Sequence, residues 1–317
     1  MTTVGPPRDP RPGGRAEPPV AATIAIPIGM VAVVIPARDE EVALPGCLAA
    51  VDRARRAVAA TRPGLAVRIV VVADRCSDGT DQVALARPHV ELVRTEVGRV
   101  GAARAAGAAH VLTTAAATGV PPERVWLIST DADSWVPADW LEVHLQQAET
   151  GAELVLGAVT LGGPSRPDPG GPPGSTGVLS RRAHQLWQQR HRLVDGHEHV
   201  FGANLGIRGD TYLEAGGFAD VAVHEDVLLA RAVAATGARV AAVAAAPVHT
   251  STRLDGRTDG GMAAYLRGLA GRDGTPRPAD DRGNAAAATG GAVAADARPD
   301  GVGEPVADGR TQDREPA

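Results

Sequence analysis

Five short, nearly uninterrupted apolar runs alternate with helix-length stretches between residues 31 and 160, and this alternation constrains the fold more than any other feature of the chain. The runs are Val31–Ile35, Val67–Ala73, Val90–Arg94, Val125–Thr130 and Glu153–Thr160. Between them, helices are expected over residues 41 to 60, briefly after Asp78, over 98 to 117, and from near Pro137, a residue suited to a first helical turn. A strand with one face in water alternates polar and apolar residues, whereas a strand apolar throughout must be covered on both faces. The pattern therefore predicts an α/β fold with a mostly parallel central sheet flanked by helices. The second half is less regular. Gly162–Gly177 reads as a long flexible loop, followed by a polar helix over Ser180–Leu193. Two short helices, a strand near Arg239–Val243 and the segment "PVHTSTR" complete the body, with no internal repeat.

In open parallel sheets, ligands bind beyond the carboxyl ends of the strands. Three of these ends carry acids: "IPARDE", "ADRCSDGT" and "DADS". Taken singly, each acid could merely cap the next helix, the role expected of Asp78. Three on one rim ask for more. Asp131 and Asp133, separated only by Ala132, are costly at the end of a core strand unless a cation lies beside them. A hard divalent ion, Mg²⁺ or Mn²⁺, prefers such oxygens and commonly shares them with substrate phosphates. The pair thus predicts a metal-bound diphosphate.

Bulk properties narrow the alternatives. The 317 residues carry a formal net charge of -5, which gives no electrostatic case for nucleic acid. Aromatic residues make up only 3%, so Val, Leu, Ile and Ala must build the core. The two cysteines, Cys47 and Cys76, have neither metal nor disulfide spacing, as expected in a reducing cytosol, and cytoplasmic localisation follows. The uncharged stretch from Pro19 to Ala37 imitates a signal peptide, but Pro27, Gly29 and Pro36 interrupt it and no transmembrane segment is expected. Residues 1–29 and 271–317 have the composition of disordered arms, which leaves a folded body over 30–270. Met30 directly precedes the first strand and is an alternative start to Met1.

Six blocks, in order, carry a resemblance: "VIPARDE", "VVADRCSDGT", "GRVGAARAAG", "DAD", "GANLGIRGD" and "GGFADVAVHEDVLLA". They resemble the blocks of family 2 glycosyltransferases of the GT-A fold, nucleotide-diphospho-sugar transferases, over nearly the whole body. The resemblance implies a hexosyltransferase-like enzyme moving one sugar from a nucleotide-diphospho-sugar donor to a hydroxyl acceptor. It implies donor contacts from Pro36, Ala37, Arg38 and Glu40, a base contact from Asp74, and Arg104 near base and phosphates. Asp131 would face ribose or metal, and Asp133 the metal. His249 in "PVHTS" matches a late histidine ligand of some relatives. Asp226 would be the general base, with Glu225 beside it, and inversion would follow; relatives with a late histidine ligand can instead retain configuration. A homodimer stays open. Asp39 stands where the family usually has Asn, Ala73 replaces an acid, and Arg75 and Cys76 replace small polar residues, which leaves the nucleotide base undetermined. The expected state of Cys76 is a packed thiol.

Glu225 and Asp226 also open an apolar-periodic helix, where acids complement the helix dipole without any chemistry. His197 and His199 suit acceptor contact better than a separate zinc site. Other classes lack their signatures. After the first strand there is no G-x-G-x-x-G turn. The chain has no lysine for a P-loop, and no G-x-S-x-G elbow. The QxxRW block of processive synthases is also missing, so single-sugar transfer is expected. The rival from another class is an inactive nucleotide-sugar-binding partner subunit.

Overall fold

The computed structural model describes residues 26–162, 179, 181–257 and 260–271. Apart from residues 26–29 and 271, the two expected arms lie outside the described residues, as does the Gly162–Gly177 loop beyond its first residue.

In chain order the elements are β1 (Met30–Ala37), α1 (Leu44–Thr61), β2 (Ala66–Asp74), α2 (Thr80–Leu85), β3 (Val90–Thr95) and α3 (Val100–Ala117). There follow β4 (Val125–Ser129), β5 (Ser134–Trp135), α4 (Trp140–Glu149), β6 (Leu154–Leu161) and α5 (Arg181–Arg190). The described chain closes with β7 (Leu205–Arg208), α6 (Gly209–Glu214), α7 (Glu225–Ala235), β8 (Val240–Thr250) and α8 (Met262–Ala270). All eight strands form one sheet in the order β3-β2-β1-β4-β7-β6-β8-β5.

The continuous apolar character of β1 has the expected cause. Val31, Val33 and Ile35 pack with α1 and α4 on one face, while Met30, Ala32 and Val34 pack with α3 and α7 on the other. Each Val, Ile or Met side chain removed from water is worth about 1.5–3 kcal/mol, so both sets oppose a register slip. The strands β1, β2, β3 and β4 pair in parallel, as do β6 and β8. The short β7 inserts antiparallel between β4 and β6, and β5 pairs antiparallel with β8. The sheet is therefore mixed, with parallel pairing dominant.

Register decides where the strands stop. Ala37 lies opposite Ala73, and Val34 lies opposite Ser129. The segments that follow β1, β2 and β4 consequently leave the sheet at one rim. The last long strand extends well past the expected Val243 and runs to Thr250, with a register shift against β6 between Gly157 and Val159. No helix among the described residues is long and apolar enough to cross a membrane.

Candidate active site

A cleft of about 730 Å³ opens at that rim, lined by Pro36, Ala37, Arg38, Glu40 and Asp74 on one side. Arg104, Asp131, Asp133, Glu225 and Asp226 also line it. Of the residues expected to bind donor or metal or to act as base, His249 is the one absent from the lining. Its neighbour Thr250 faces Ser134, with Thr250 Oγ1 and Ser134 Oγ 3.0 Å apart, and lines the cleft. Successive residues of a strand point to opposite faces. His249 accordingly turns away and its Nδ1 meets Thr160 Oγ1 at 2.7 Å. His249 thus sits in the β6–β8 ladder against Thr160, outside the cleft lining in which Asp133 stands.

The loop after β1 owes its shape to Asp39, held at φ 53°, a left-handed conformation that Asp tolerates better than most residues. Its Oδ1 accepts from the Ser77 N–H at 2.7 Å and the Ser77 hydroxyl at 3.0 Å. Asp78 accepts from the N–H groups of Thr80 and Glu41, each at 3.0 Å, and so ties the two loops together, while the N-cap position of α2 falls to Gly79 and not, as expected, to Asp78. Asp74 is 4% exposed, and its Oδ1 accepts from the Gly98 N–H at 3.0 Å and from Thr95 Oγ1 at 3.1 Å. The departures Arg75 and Cys76 are not in the cleft lining: Arg75 donates to Glu96 O at 2.9 Å and Cys76 to Ala37 O at 3.4 Å. Burial raises the Cys76 pKa, as a packed thiol requires.

Arg104 is the electrostatic centre. It is 3% exposed and donates to Ser129 Oγ at 2.8 Å, to Asp131 Oδ1 at 2.5 Å, and to Glu225 Oε1. Burial alone would lower its pKa, but Asp131 and Glu225 outweigh burial and hold it charged. Expected as a donor contact, Arg104 bridges β4, the DAD loop and the start of α7. Close approach makes this possible: a Cβ on Gly202 would stand 2.7 Å from the guanidinium, and one on Gly101 would stand 2.5 Å from Ala219 O.

Glu225 is locked by that bridge, and burial pushes its pKa up against the pull of Arg104. Asp226 is not so confined. Its Oδ2 accepts from the Gly202 N–H at 2.7 Å and its Oδ1 from the Val227 N–H at 2.8 Å. A carboxylate oxygen has two acceptor sites, so both oxygens keep one for another donor.

Sequence reasoning missed Arg253. It donates to Glu40 at 2.8 and 2.5 Å and lies 3.1 Å from Asp133 Oδ2. Burial would lower its pKa, but Asp133 and Glu40 dominate and keep it charged. The only signal was an arginine just past the last strand, and nothing local said which carboxylates it would reach. Also missed was an aromatic wall in which Trp187 and His191 stack at 3.7 Å beside Phe201 and Tyr265. His199 joins this wall in the cleft lining, whereas His197, 5% exposed, does not line it.

The donor set fits a hard cation. Asp133 is only 15% exposed, and burial, with Asp131 and Glu40 adding to it, pushes its pKa up to about 7 despite Arg253. That is a surplus of buried negative charge which a divalent ion would relieve. Among the described residues no three His, Cys, Asp or Glu groups converge as a complete cage. One or two carboxylates with the remaining positions left to phosphate and water is the habit of Mg²⁺.

The sequence model of glycosyl transferase family 2 matches residues 32–199, more than half of the chain. No curated protein matches the chain in sequence. Similar solved structures include S. aureus TarS residues 1–349, at 12% identity and TM-score 0.45, covering 70% of this chain and 60% of that one. Mannosyltransferase PcManGT from Pyrobaculum calidifontis, in complex with GDP-Man and Mn²⁺, is 19% identical with TM-score 0.43, covering 77% and 62%. Glucosyl-3-phosphoglycerate synthase from M. tuberculosis is 14% identical with TM-score 0.40, covering 76% of each chain. The chain thus spans about three fifths of the length of the first two.

Proposed function

The chain belongs to glycosyl transferase family 2, and on that premise we propose that it moves a single sugar from a nucleotide-diphospho-sugar to an acceptor hydroxyl, with inversion, using Mg²⁺ or Mn²⁺. One observation carries this reading: Asp74, Asp131, Asp133 and Asp226, from three separate segments, share one cleft beyond the sheet's carboxyl edge.

In this reading Asp74 receives the nucleotide base, and the main chain and side chains of residues 36–40 receive the remainder of the donor. Asp131 and Asp133 would hold the ion, which when bound stabilises negative charge on the departing diphosphate. Asp226 accepts the proton of the acceptor hydroxyl as the oxygen attacks the anomeric carbon. The bond to the diphosphate breaks on the opposite side of that carbon, which inverts its configuration. The two backbone N–H groups on Asp226 support this role, because they orient the carboxylate and leave it acceptor capacity. Glu225 orients α7 through Arg104 and touches no reacting atom in this reading. In this reading His249, held against Thr160, is no ligand, which supports inversion over retention.

The test is a panel of nucleotide sugars scored by thermal shift with and without Mn²⁺, followed by donor hydrolysis and transfer assays. A metal-dependent shift with one donor and turnover abolished by chelator is the expected result. Full turnover in chelator overturns the metal assignment. Binding without any turnover favours the inactive-subunit reading.

A further inference from the structure

Arg253 lies where the cation reading puts positive charge. It is 14% exposed at the side chain, lines the cleft, and contacts both Glu40 and Asp133. Resting on the metal reading above, we propose that Arg253 is the resident counter-ion of these carboxylates, and that the entering cation must displace it from Asp133.

Stability alone explains the contact poorly. The Coulombic gain of a buried ion pair is largely cancelled by the desolvation of both ions, so its net worth is small. Leaving Glu40 and Asp133 without any partner would be costly, because two buried carboxylates would then face each other and Asp131. A long arginine side chain solves that problem reversibly, since it can swing away by rotation about its own bonds. A divalent ion carries twice the charge on a smaller body and takes carboxylate oxygens at shorter range, so it competes well for Asp133.

The surrounding segment separates holding from yielding. Arg257 donates to Asp39 O at 2.6 Å and to Arg38 O at 3.2 Å, neutral acceptors that no cation needs to claim, and its Nε lies 4.0 Å from Glu40 Oε1, so Glu40 keeps a positive neighbour when Arg253 moves. Ser134 and Thr250 fasten the base of the segment to β5. The segment can therefore stay docked by Arg257 while the Arg253 side chain leaves. The consequence is that nucleotide-free protein binds the ion weakly, and that ion and diphosphate enter together.

The decisive measurement is the affinity of the full chain for Mn²⁺ alone, without nucleotide. Arg253→Gln should bind Mn²⁺ tenfold or more tighter than wild type, while Arg253→Lys, which keeps a positive charge, should stay within about threefold of it. Equal affinity of wild type and Arg253→Gln would overturn the competition. Adding Asp133→Asn to Arg253→Gln should abolish the gain; if Mn²⁺ binding persists there undiminished, the metal site itself has been misread. Should Arg253→Gln not fold, the wild type still decides. Near-saturating Mg²⁺, which is diamagnetic, should move the Arg253 Nε–H resonance toward that of a free side chain while the backbone amides of residues 251–257 keep their protection, and an unmoved Nε–H signal with the ion bound would overturn the proposal.

Discussion

Asp226 is the residue at which chemistry and helix capping separate most cleanly. Asp226→Asn preserves size and one acceptor oxygen, so the Gly202 or Val227 contact can persist. An amide cannot take the proton of the acceptor hydroxyl. Transfer should therefore fall by roughly 10² to 10⁴-fold, the usual reach of general-base catalysis, while metal-dependent nucleotide binding is retained. Steady-state transfer rates beside a nucleotide titration read both quantities, and near-normal transfer would return Asp226 to a helix-terminus role. Asp74→Ala should behave oppositely, weakening nucleotide binding, because its Oδ1 contacts with Gly98 and Thr95 also fix the loop after β3.

Among the elements, β7 shows how a short antiparallel insertion depends on buried polar chemistry. Asn204, 1% exposed, accepts at Oδ1 from Trp140 Nε1 at 2.8 Å and contacts His144 Nε2 at 3.0 Å, and it donates to Ala158 O at 2.8 Å. Gly206 lets α4 approach: a Cβ there would stand 2.3 Å from His144 Nδ1 and 2.8 Å from Trp126 Nε1. Gly206→Ala should destabilise by about 1–3 kcal/mol in denaturant titration, the usual cost of overpacking a filled core. His144 adds a pH signature. Burial, only partly offset by Asn204, lowers its pKa from 6.5 to about 4. Below pH 6.5 the unfolded chain takes up a proton that the folded chain refuses. Stability should decline as pH falls from 6.5 to 4 and then stop declining from this source, a loss of about 3 kcal/mol. In His144→Gln that portion of the pH–stability curve should flatten, and an unchanged slope would mean that His144 is protonated in the fold.

At the scale of the whole molecule, one sheet with two apolar faces carries the site. The segments outside 26–271 are rich in Gly, Ala, Asp, Arg and Pro and offer little apolar surface to offset ordering entropy. A chain trimmed to 26–271 should keep its thermal midpoint within a few degrees. Trimming should stop before Pro27, because Arg124 donates to Pro27 O at 3.2 Å and the Gly29 N–H donates to Arg124 O at 2.8 Å. A fall of the midpoint by ten degrees or more on removing residues 1–25 would place part of the core there.

The α/β class, the strands from Val31 to Thr160 and the acids at their ends were all legible in the sequence. Apolar runs, helix-length gaps and turn residues are local, and each strand buried on both faces leaves a continuous signal. Asp74, Asp131, Asp133 and Asp226 were legible as candidates for the same reason, since each stands in a short motif. Tertiary structure alone decided which groups meet. The β8 register turned Thr250 into the cleft and His249 onto Thr160, a difference of one residue that no composition or spacing encodes. The pairings of Arg104 with Glu225 and of Arg253 with Glu40 span 121 and 213 residues of chain. Such contacts are set by strand order and helix packing, and an arginine's neighbours in sequence do not announce the carboxylates it will reach.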